Sequence, residues 1–211
     1  FAKVYETFMD NIPYEEWTDY VKELFAEEGV KDGILLDLGC GTGSVTELLA
    51  KSGFDMIGID NSEEMLEIAM EKRAESRLDI LYLLQDMREF ELYGTVKAVV
   101  SICDSMNYIL EDEDLLDVFQ LVHNYLDNEG IFIFDMNTPY KHKNILGDNT
   151  FVYDMDDVYC VWQNSFDNIE QKTAIDLDFF IRNEDDEFYE RYSESFCEYA
   201  YNPETIIELL N

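Results

Sequence analysis

The sequence is poor in basic residues. Its 211 residues include 14 Lys and Arg against 48 Asp and Glu, and the formal charge is −34. The negative electrostatic field of such a chain repels phosphates. Enzymes that act on nucleic acids need a track of basic residues that binds the phosphate backbone. The few Lys and Arg are scattered singly, so we expect no nucleic-acid partner.

Metal ligands, paired cysteines and long apolar runs are also scarce. There are two histidines, and the four cysteines lie far apart without a C-x-x-C pair. This predicts no metal site and no disulfide framework, and it is typical of thiols in a reducing compartment. No stretch approaches about 18 uninterrupted apolar residues, and no basic segment precedes an apolar one near the N-terminus. We therefore expect a cytoplasmic protein with no membrane span.

Apolar runs alternate with helical patterns through the first two thirds of the chain. The length and the 47% hydrophobic content predict one α/β domain with an elaboration. Five alternations with short crossovers predict a doubly wound, mostly parallel sheet with helices on both faces. The predicted strands are 34–36, 56–59, 80–84, 96–102 and 131–134.

The pattern changes beyond residue 137. Segments of period two at 158–162, 174–180 and 189–198 are separated by Asp, Asn and Glu clusters, and the acidic run 184–187 is typical of a hairpin turn. They predict an inserted antiparallel β-meander that acts as a lid over the carboxyl edge of the main sheet.

The predicted organisation has three parts. Residues 1–137 form the ligand-binding core with an N-terminal helical cover, 138–200 the insert, and 201–211 a return helix of the core. The chain starts without Met and stops at Asn211 within a helical pattern, which indicates a piece of a longer protein.

A glycine-rich segment, residues 37–43 (DLGCGTG), separates the first strand from its helix. Glycines allow a sharp turn and close approach of a ligand, and the helix directs free N–H groups to the same place. Their spacing is G-x-G-x-G, with Ser44 where a dinucleotide motif needs its third glycine. Asp37 would repel a phosphate but suits an ammonium group. The loop therefore disfavours a nicotinamide oxidoreductase and favours a ligand with adenosine and an amino acid end.

Polar residues follow the next three strands. Asp60 lies at the distance from the first glycine expected of a ribose-binding carboxylate, Asp86 follows the third strand, and Cys103 and Asp104 follow the fourth. The carboxyl ends of parallel strands share one edge, so we expect these side chains around one crevice. Three alternatives remain: Asp60 caps its helix, Asp86 pairs with Arg88, or Cys103 only packs.

With these residues in this order, residues 33–137 resemble the class I S-adenosylmethionine-dependent methyltransferases. The resemblance implies a Rossmann-like methyltransferase fold and S-adenosylmethionine as cofactor. It implies these contacts: Gly39, Cys40, Gly41 and Gly43 around the methionine part, Asp37 near its amino group, Asp60 on the ribose, Asn61 and Met65 along the adenosine, Asp86 and Met87 at the adenine, and Cys103 and Asp104 at the methyl-donor site.

The N-terminal segment carries an aromatic set, Tyr5, Phe8, Tyr14, Trp17 and Tyr20. Members of this family fold the segment over the cofactor, so the resemblance makes Tyr14 and Trp17 candidates for cofactor contacts. A core stripe of a helix is the alternative.

The segment 85–90 (QDMREF) and the strand-rich insert also resemble small-molecule N-methyltransferases that act on amino sugars or amino acids. The expected acceptor is therefore a small molecule, with an amine as the nucleophile, and Asp104 or Tyr108 is the candidate for removing its proton. Two alternatives are an aminopropyltransferase, which would hold a polyamine with extra carboxylates after the fourth strand, and a non-catalytic cofactor-binding module. The sequence predicts no particular oligomeric state.

Overall fold

A computed structural model describes residues 5, 6, 9, 12–155, 157–183 and 188–211 of the chain. The helices are α1 (Tyr14–Glu27), α2 (Ser44–Lys51), α3 (Glu63–Ser76), α4 (Asp112–Tyr125) and α5 (Pro203–Leu209), with a 3₁₀ turn at Ser105–Tyr108 and a π-helix at Lys141–Leu146. The strands are β1 (Ile34–Leu38), β2 (Asp55–Asp60), β3 (Ile80–Leu84), β4 (Val96–Ser101), β5 (Leu126–Phe134), β6 (Thr150–Met155), β7 (Val158–Asp167), β8 (Lys172–Arg182) and β9 (Tyr189–Tyr199).

The chain divides into two compact units. The α/β unit consists of Ala2–Met106 with Glu113–Asp135, and the insert unit consists of Asn107–Asp112 with Met136–Asn211. The segment Asn107–Asp112, which ends at the first residue of α4, thus groups with the insert unit. The three-part organisation at 1–137, 138–200 and 201–211, and the lid role of the insert, stay predictions.

The α/β unit contains a five-stranded parallel sheet in the order β3-β2-β1-β4-β5, which confirms the predicted fold class. The chain runs outward from β1 to β3 and returns to β4 beside β1. Right-handed crossovers then place α2 and α3 on one face and α4 on the other. The reversal of direction between β1 and β4 opens a crevice at their carboxyl ends, where α/β sheets bind ligands.

Apolar burial and local capping explain these elements. Leu35, Leu49 and Val100 belong to the core cluster of the α/β unit, together with Phe25 from α1. The Ser62 side chain caps α3 by accepting the Met65 N–H at 3.3 Å. Helix α2 ends at Lys51, where a basic residue suits the helix dipole, and α4 begins within an acidic run at Asp112.

Strand β5 begins earlier than its apolar run. The sequence Asn-Glu-Gly at 128–130 is typical of a turn before the predicted strand 131–134, but β5 already pairs at Leu126 with Val96. The register then shifts, so that Ala98 lies opposite Ile131, and Glu129 takes a positive φ of 66°. The segment is therefore a bulge within the strand pair.

The insert unit contains an antiparallel meander in the order β6-β7-β8-β9, as the sequence predicts. Strands β7, β8 and β9 extend past the predicted segments, and α5, with Pro203 at its first position, lies within the helix predicted at 201–211. Strand β6 and the π-helix were not predicted. The hairpin expected at 184–187 and the aromatic Phe8 lie outside the described residues. Within the described ranges, the structure has no helix with the length and apolar character needed to cross a membrane.

Candidate functional site

The glycine loop, residues 39–43, is fixed by backbone hydrogen bonds to the carboxyl end of β2. The N–H groups of Gly39 and Cys40 donate to the Ile59 carbonyl oxygen at 2.8 and 2.9 Å. The Gly41 N–H donates to Asp60 Oδ2 at 2.8 Å. The structure therefore brings together the two features that the sequence assigned to one ligand, the loop and the acidic residue after the second strand.

The three glycines of the loop face different surroundings, although all have positive φ (80°, 53° and 77°). A methyl group at Gly39 would lie 2.9 Å from Cβ of Ser105, and one at Gly43 would lie 2.3 Å from the Tyr82 hydroxyl. At Gly41 no heavy atom of the described residues comes within 4 Å. Gly39 and Gly43 are thus required by packing as well as by backbone conformation, and Gly41 faces open space where a ligand can approach.

Asp37 lies inside the fold at the end of β1 and is 2% exposed. Its Oδ2 accepts a hydrogen bond from Thr46 Oγ1 at 2.5 Å. Burial raises the pKa of Asp37 to about 7, the Thr46 hydrogen bond opposes that rise, and the charge of Asp60 adds to it. Asp37 is therefore a buried carboxyl group bound to the first turn of α2, and its contact with a ligand ammonium stays a prediction.

Asp60 ends β2 beside the loop. Besides the Gly41 amide, it binds the Ser62 N–H through Oδ1 at 2.9 Å. Burial raises the pKa of Asp60, and the backbone N–H donors oppose that rise. Each carboxylate oxygen has further lone pairs that can accept from ribose hydroxyls. Ser62 is the N-cap of α3. Asp60 therefore fixes the backbone just before the helix, and its remaining lone pairs can accept hydrogen bonds from a ligand. Asn61, between them, is exposed.

The segment after β3 contains the ion pair that the sequence left as an alternative. Arg88 Nη2 donates to Asp86 Oδ2 at 2.6 Å, and Arg88 Nε donates to Asp86 Oδ1 at 2.9 Å. The Arg88 hydrogen bonds hold the pKa of Asp86 below its usual range. Asp86 is thus a fixed, ionised acceptor, and its contact with adenine stays a prediction. Met87 does reach the loop, since its Cε lies 3.2 Å from the position of a methyl group on Gly39.

The turn after β4 has an unusual backbone. Cys103 and Asp104 are consecutive residues with positive φ, 67° and 53°, and neither is glycine. The Asp104 N–H donates to Asp135 Oδ1 at 3.1 Å, and Ser105 Oγ donates to the Gly39 carbonyl oxygen at 3.3 Å. The turn therefore contacts both the end of β5 and the glycine loop. Sequence reasoning missed Asp135 and Ser105, although Asp135 follows a strand as Asp60 does.

Tyr14 joins this group from the first turn of α1. Tyr5 and Cys103 both perturb the pKa of Tyr14, so these three side chains lie close together. Burial raises the pKa of Tyr14 and of Cys103 above their ordinary values. The Trp17 ring meets the Tyr14 ring edge to face at 6.0 Å. Tyr14 thus lies at the turn that carries Cys103, and Trp17 supports it. Met65, in the first turn of α3, is partly buried.

Tyr108 belongs to the insert unit. It stacks on Phe196 with ring centroids 5.1 Å apart and is 47% exposed. The neighbouring Asn107 is fully buried. Its Oδ1 accepts the Asn137 N–H at 2.7 Å, and its Nδ2 donates to the Tyr199 carbonyl oxygen at 2.8 Å. These bonds fix the end of the 3₁₀ turn next to Tyr108.

The chemistry of the site follows from these donors and acceptors. Among the described residues, no three His, Cys, Asp or Glu side chains form a group that could hold a metal ion. Open space at Gly41, the Asp60 carboxylate and the buried Asp37 carboxyl group instead fit an adenosyl ligand with an amino acid end.

Comparisons with known proteins agree with this chemistry. A family model described as a methyltransferase domain matches residues 35–130. The chain is 37% identical over 211 residues to the protein named "Putative methyltransferase YqeM" of Bacillus subtilis (strain 168), covering 100% of this chain and 83% of that protein.

A solved S-adenosylmethionine-dependent methyltransferase from Clostridium acetobutylicum ATCC 824 superposes with a TM-score of 0.90 at 35% identity, covering 100% of this chain and 84% of that one. A Streptomyces venezuelae protein named dTDP-3-amino-3,4,6-trideoxy-alpha-D-glucopyranose N,N-dimethyltransferase is 32% identical over 101 residues, which are 48% of this chain and 41% of that protein.

Proposed function

Because this chain belongs to the class I S-adenosylmethionine-dependent methyltransferases, we propose that it methylates a nitrogen atom of a small molecule. Family membership makes the chain an enzyme that uses S-adenosylmethionine and acts on a methyl acceptor. The amine is the proposal. It is supported by two acidic residues at the turn after β4, Asp104 and Asp135, whose negative charge suits a cationic or proton-releasing acceptor; the Asp104 N–H donates to Asp135 there.

The cofactor site of the proposal follows the carboxyl edge of the sheet. Gly41 leaves room for the methionine part, Asp60 accepts from the ribose hydroxyls, and Asp37 attracts the ammonium group. The remaining proposed contacts are Gly39, Cys40 and Gly43 in the loop, Asn61 and Met65 along the adenosine, Asp86 and Met87 at the adenine, and Tyr14, Trp17 and Cys103 at the methyl-donor end.

The reaction requires mainly positioning and exclusion of water. When bound, S-adenosylmethionine supplies a methyl group on a sulfonium, which is a good leaving group. Tyr14 and Trp17 offer aromatic faces suited to a cation, and Tyr14 lies beside Cys103. An amine nucleophile must be neutral, so a group near it has to take its proton. We propose Asp104 for this role, with Tyr108 as the alternative.

One relative supports the choice of nitrogen. The Streptomyces venezuelae protein is named as an N,N-dimethyltransferase of a nucleotide-linked amino sugar. The similarity covers 48% of this chain, so it supports an amine acceptor and leaves the rest of the acceptor undefined.

Label transfer from S-adenosylmethionine to matched acceptors tests the proposal. An amino sugar, the same sugar with a hydroxyl in place of the amine, and its thiol counterpart are each incubated with the enzyme and methyl-labelled cofactor. We expect label on the amine alone, and we expect Asp104→Asn to slow its transfer. Asp117→Asn, an exposed change on α4, is the matched control and should match the parent.

Each rival function has its own outcome in this assay. Label on the hydroxyl or thiol compound, with none on the amine, would contradict the proposed nucleophile. Transfer from the decarboxylated cofactor to a polyamine would indicate an aminopropyltransferase, which Asp135 beside Asp104 makes worth testing. Cofactor binding with no transfer to any acceptor would indicate a binding module.

A further inference from the structure

We infer that Asp135, directly after β5, is a positioning residue that holds the Cys103–Asp104 turn in the conformation needed at the methyl-donor site. The inference rests on the proposed function, in which this turn contacts the methyl-donor end of the cofactor. Asp135 itself is not assigned to cofactor binding or to proton transfer.

The backbone of the turn needs external support. Cys103 and Asp104 have φ values of 67° and 53°. A positive φ is disfavoured for residues with a Cβ atom, and it persists where surrounding contacts hold it. Two such residues in succession make the turn dependent on its neighbours.

Asp135 supplies one of these contacts from a rigid element. Its N–H donates to the Ser101 carbonyl oxygen at 3.2 Å, which extends the β4–β5 ladder beyond Phe134. Its Oδ1 accepts the Asp104 N–H at 3.1 Å. A carboxylate is a stronger acceptor of a backbone N–H than a neutral group. The sheet therefore fixes Asp135, and Asp135 fixes the amide that joins the two strained residues, just before the 3₁₀ turn.

The opposite side of the turn rests on the glycine loop. Ser105 Oγ donates to the carbonyl oxygens of Gly39 and Ile102 at 3.3 and 3.2 Å. Ser105 also occupies the space that a side chain at Gly39 would fill. A turn released by Asp135 would therefore shift against Gly39, and the disturbance would reach the part of the loop proposed to hold the methionine moiety.

The charge of Asp135 favours positioning over activation of the thiol. Burial is the main cause that raises the pKa of Cys103, and the neighbouring Asp135 and Asp104 carboxylates raise it further. The thiol is therefore kept protonated, which is opposite to what a nucleophilic cysteine requires. The hydrogen bond from the Asp104 N–H is the contact through which we infer that Asp135 acts.

Two ligands of different length test the inference by calorimetric titration. S-adenosylhomocysteine spans the adenosine and amino acid parts of the site, whereas adenosine lacks the amino acid part. The proteins are the parent, Asp135→Ala, Asp135→Asn and the control Asp127→Ala. Asp127 is an acidic residue at the opposite end of β5, where it pairs with Lys97.

We expect Asp135→Ala to weaken S-adenosylhomocysteine binding roughly tenfold, the order of one lost charged hydrogen bond, and to leave adenosine binding within about twofold of the parent. Asp135→Asn keeps an oxygen that accepts the Asp104 N–H and should bind both ligands nearly as the parent does. Asp127→Ala should also match the parent.

Three results would overturn the inference. The first is that Asp135→Ala binds S-adenosylhomocysteine as tightly as the parent does. The second is that Asp135→Ala loses affinity equally for both ligands, which would indicate a general loosening of the fold. The third is that Asp135→Asn binds as weakly as Asp135→Ala, which would mean that the charge of Asp135 matters and its hydrogen bond does not. A parent protein that binds neither ligand would refute the proposed site as well, so that failure is distinguishable from the other three.

Discussion

At the scale of single residues, Asp37 is the group whose protonation depends most on the fold. Burial raises its pKa from 3.8 to about 7. Between these pH values the folded protein keeps a proton that the unfolded chain has lost. Stability therefore falls as pH rises through this window, and the loss is complete above about pH 7. The difference between the two pKa values corresponds to a change in the free energy of unfolding on the order of 4 kcal/mol.

Asp37→Asn should remove this pH dependence. The amide is neutral at every pH and can still accept from Thr46. We expect the variant to be more stable than the parent by a few kcal/mol near pH 8 and by a smaller margin near pH 5. Urea unfolding at both pH values measures this, with the exposed Asp55→Asn as control. Equal pH dependence in parent and Asp37→Asn would contradict the burial account.

The same substitution should weaken cofactor binding. If the Asp37 carboxylate attracts the ammonium group of S-adenosylmethionine, Asp37→Asn should raise the Kd roughly tenfold. In the parent, affinity should fall as pH drops below about 7, because Asp37 takes up a proton. Titration across pH checks both. Unchanged affinity in the variant would remove Asp37 from the proposed site.

Gly43 and Tyr82 form a second testable pair. A methyl group at Gly43 would lie 2.3 Å from the Tyr82 hydroxyl and 3.0 Å from Cζ, at a φ of 77°. We expect Gly43→Ala to destabilise the protein by about 3 kcal/mol, and Tyr82→Phe in the same chain to restore about half of that loss. No hydrogen-bond partner for the Tyr82 hydroxyl is found among the described residues, so Tyr82→Phe alone should be nearly neutral.

Gly41→Ala is the matched control for this pair. It has a positive φ of 53° but no described heavy atom within 4 Å. It should therefore show only the conformational penalty, about 1 kcal/mol. Thermal unfolding of the four variants without ligand measures the set. Equal loss at Gly41 and Gly43, with no recovery from Tyr82→Phe, would contradict the packing explanation.

At the scale of elements, side-chain hydrogen bonds of the buried Asn107 hold the end of the 3₁₀ turn that belongs to the insert unit. Asn107→Ala would remove its bonds to the partly buried Asn137 N–H and Tyr199 carbonyl oxygen. We expect a loss of about 3 kcal/mol in the free energy of unfolding. Asn144→Ala, at an exposed asparagine of the π-helix, is the control and should change little. A similar small effect at both positions would show that the Asn107 bonds do not stabilise the unit.

The elements also show why part of the fold is readable from the sequence. Strands β1 to β4 coincide with apolar runs, and glycine or acidic residues mark the helix ends. The start of β5 is different, because residues 128–130 have turn chemistry that sheet pairing overrides. The π-helix at Lys141–Leu146 has no simple periodic pattern, and β6 lies between polar clusters without a strong apolar stripe.

The candidate site was predictable to a similar degree. The glycine spacing and the distance to Asp60 predicted neighbours that the structure joins by the Gly41 N–H. The packing roles of Gly39 and Gly43 depend on Ser105, Met87 and Tyr82, which come from other parts of the chain. Asp135 has no local motif, and its contact with Asp104 arises only when β4 and β5 pair.

At the scale of the whole molecule, the net charge of −34 opposes compact folding by self-repulsion. Raising NaCl from about 0.05 M to about 0.5 M screens this repulsion, and we expect Tm to rise by several degrees. The same charge should prevent binding to duplex DNA at either salt concentration. A Tm independent of salt, or measurable DNA binding in a mobility shift, would contradict this account.

The central claim, that the loop and Asp60 bind S-adenosylmethionine, is tested most directly by calorimetric titration with S-adenosylmethionine, S-adenosylhomocysteine and NAD. We predict that the first two bind and that NAD does not. Asp60→Ala should weaken both roughly tenfold or more, because it removes a charged acceptor, while Asp55→Ala at the start of β2 should bind as the parent does. Binding of NAD alone, or full affinity in Asp60→Ala, would contradict the account.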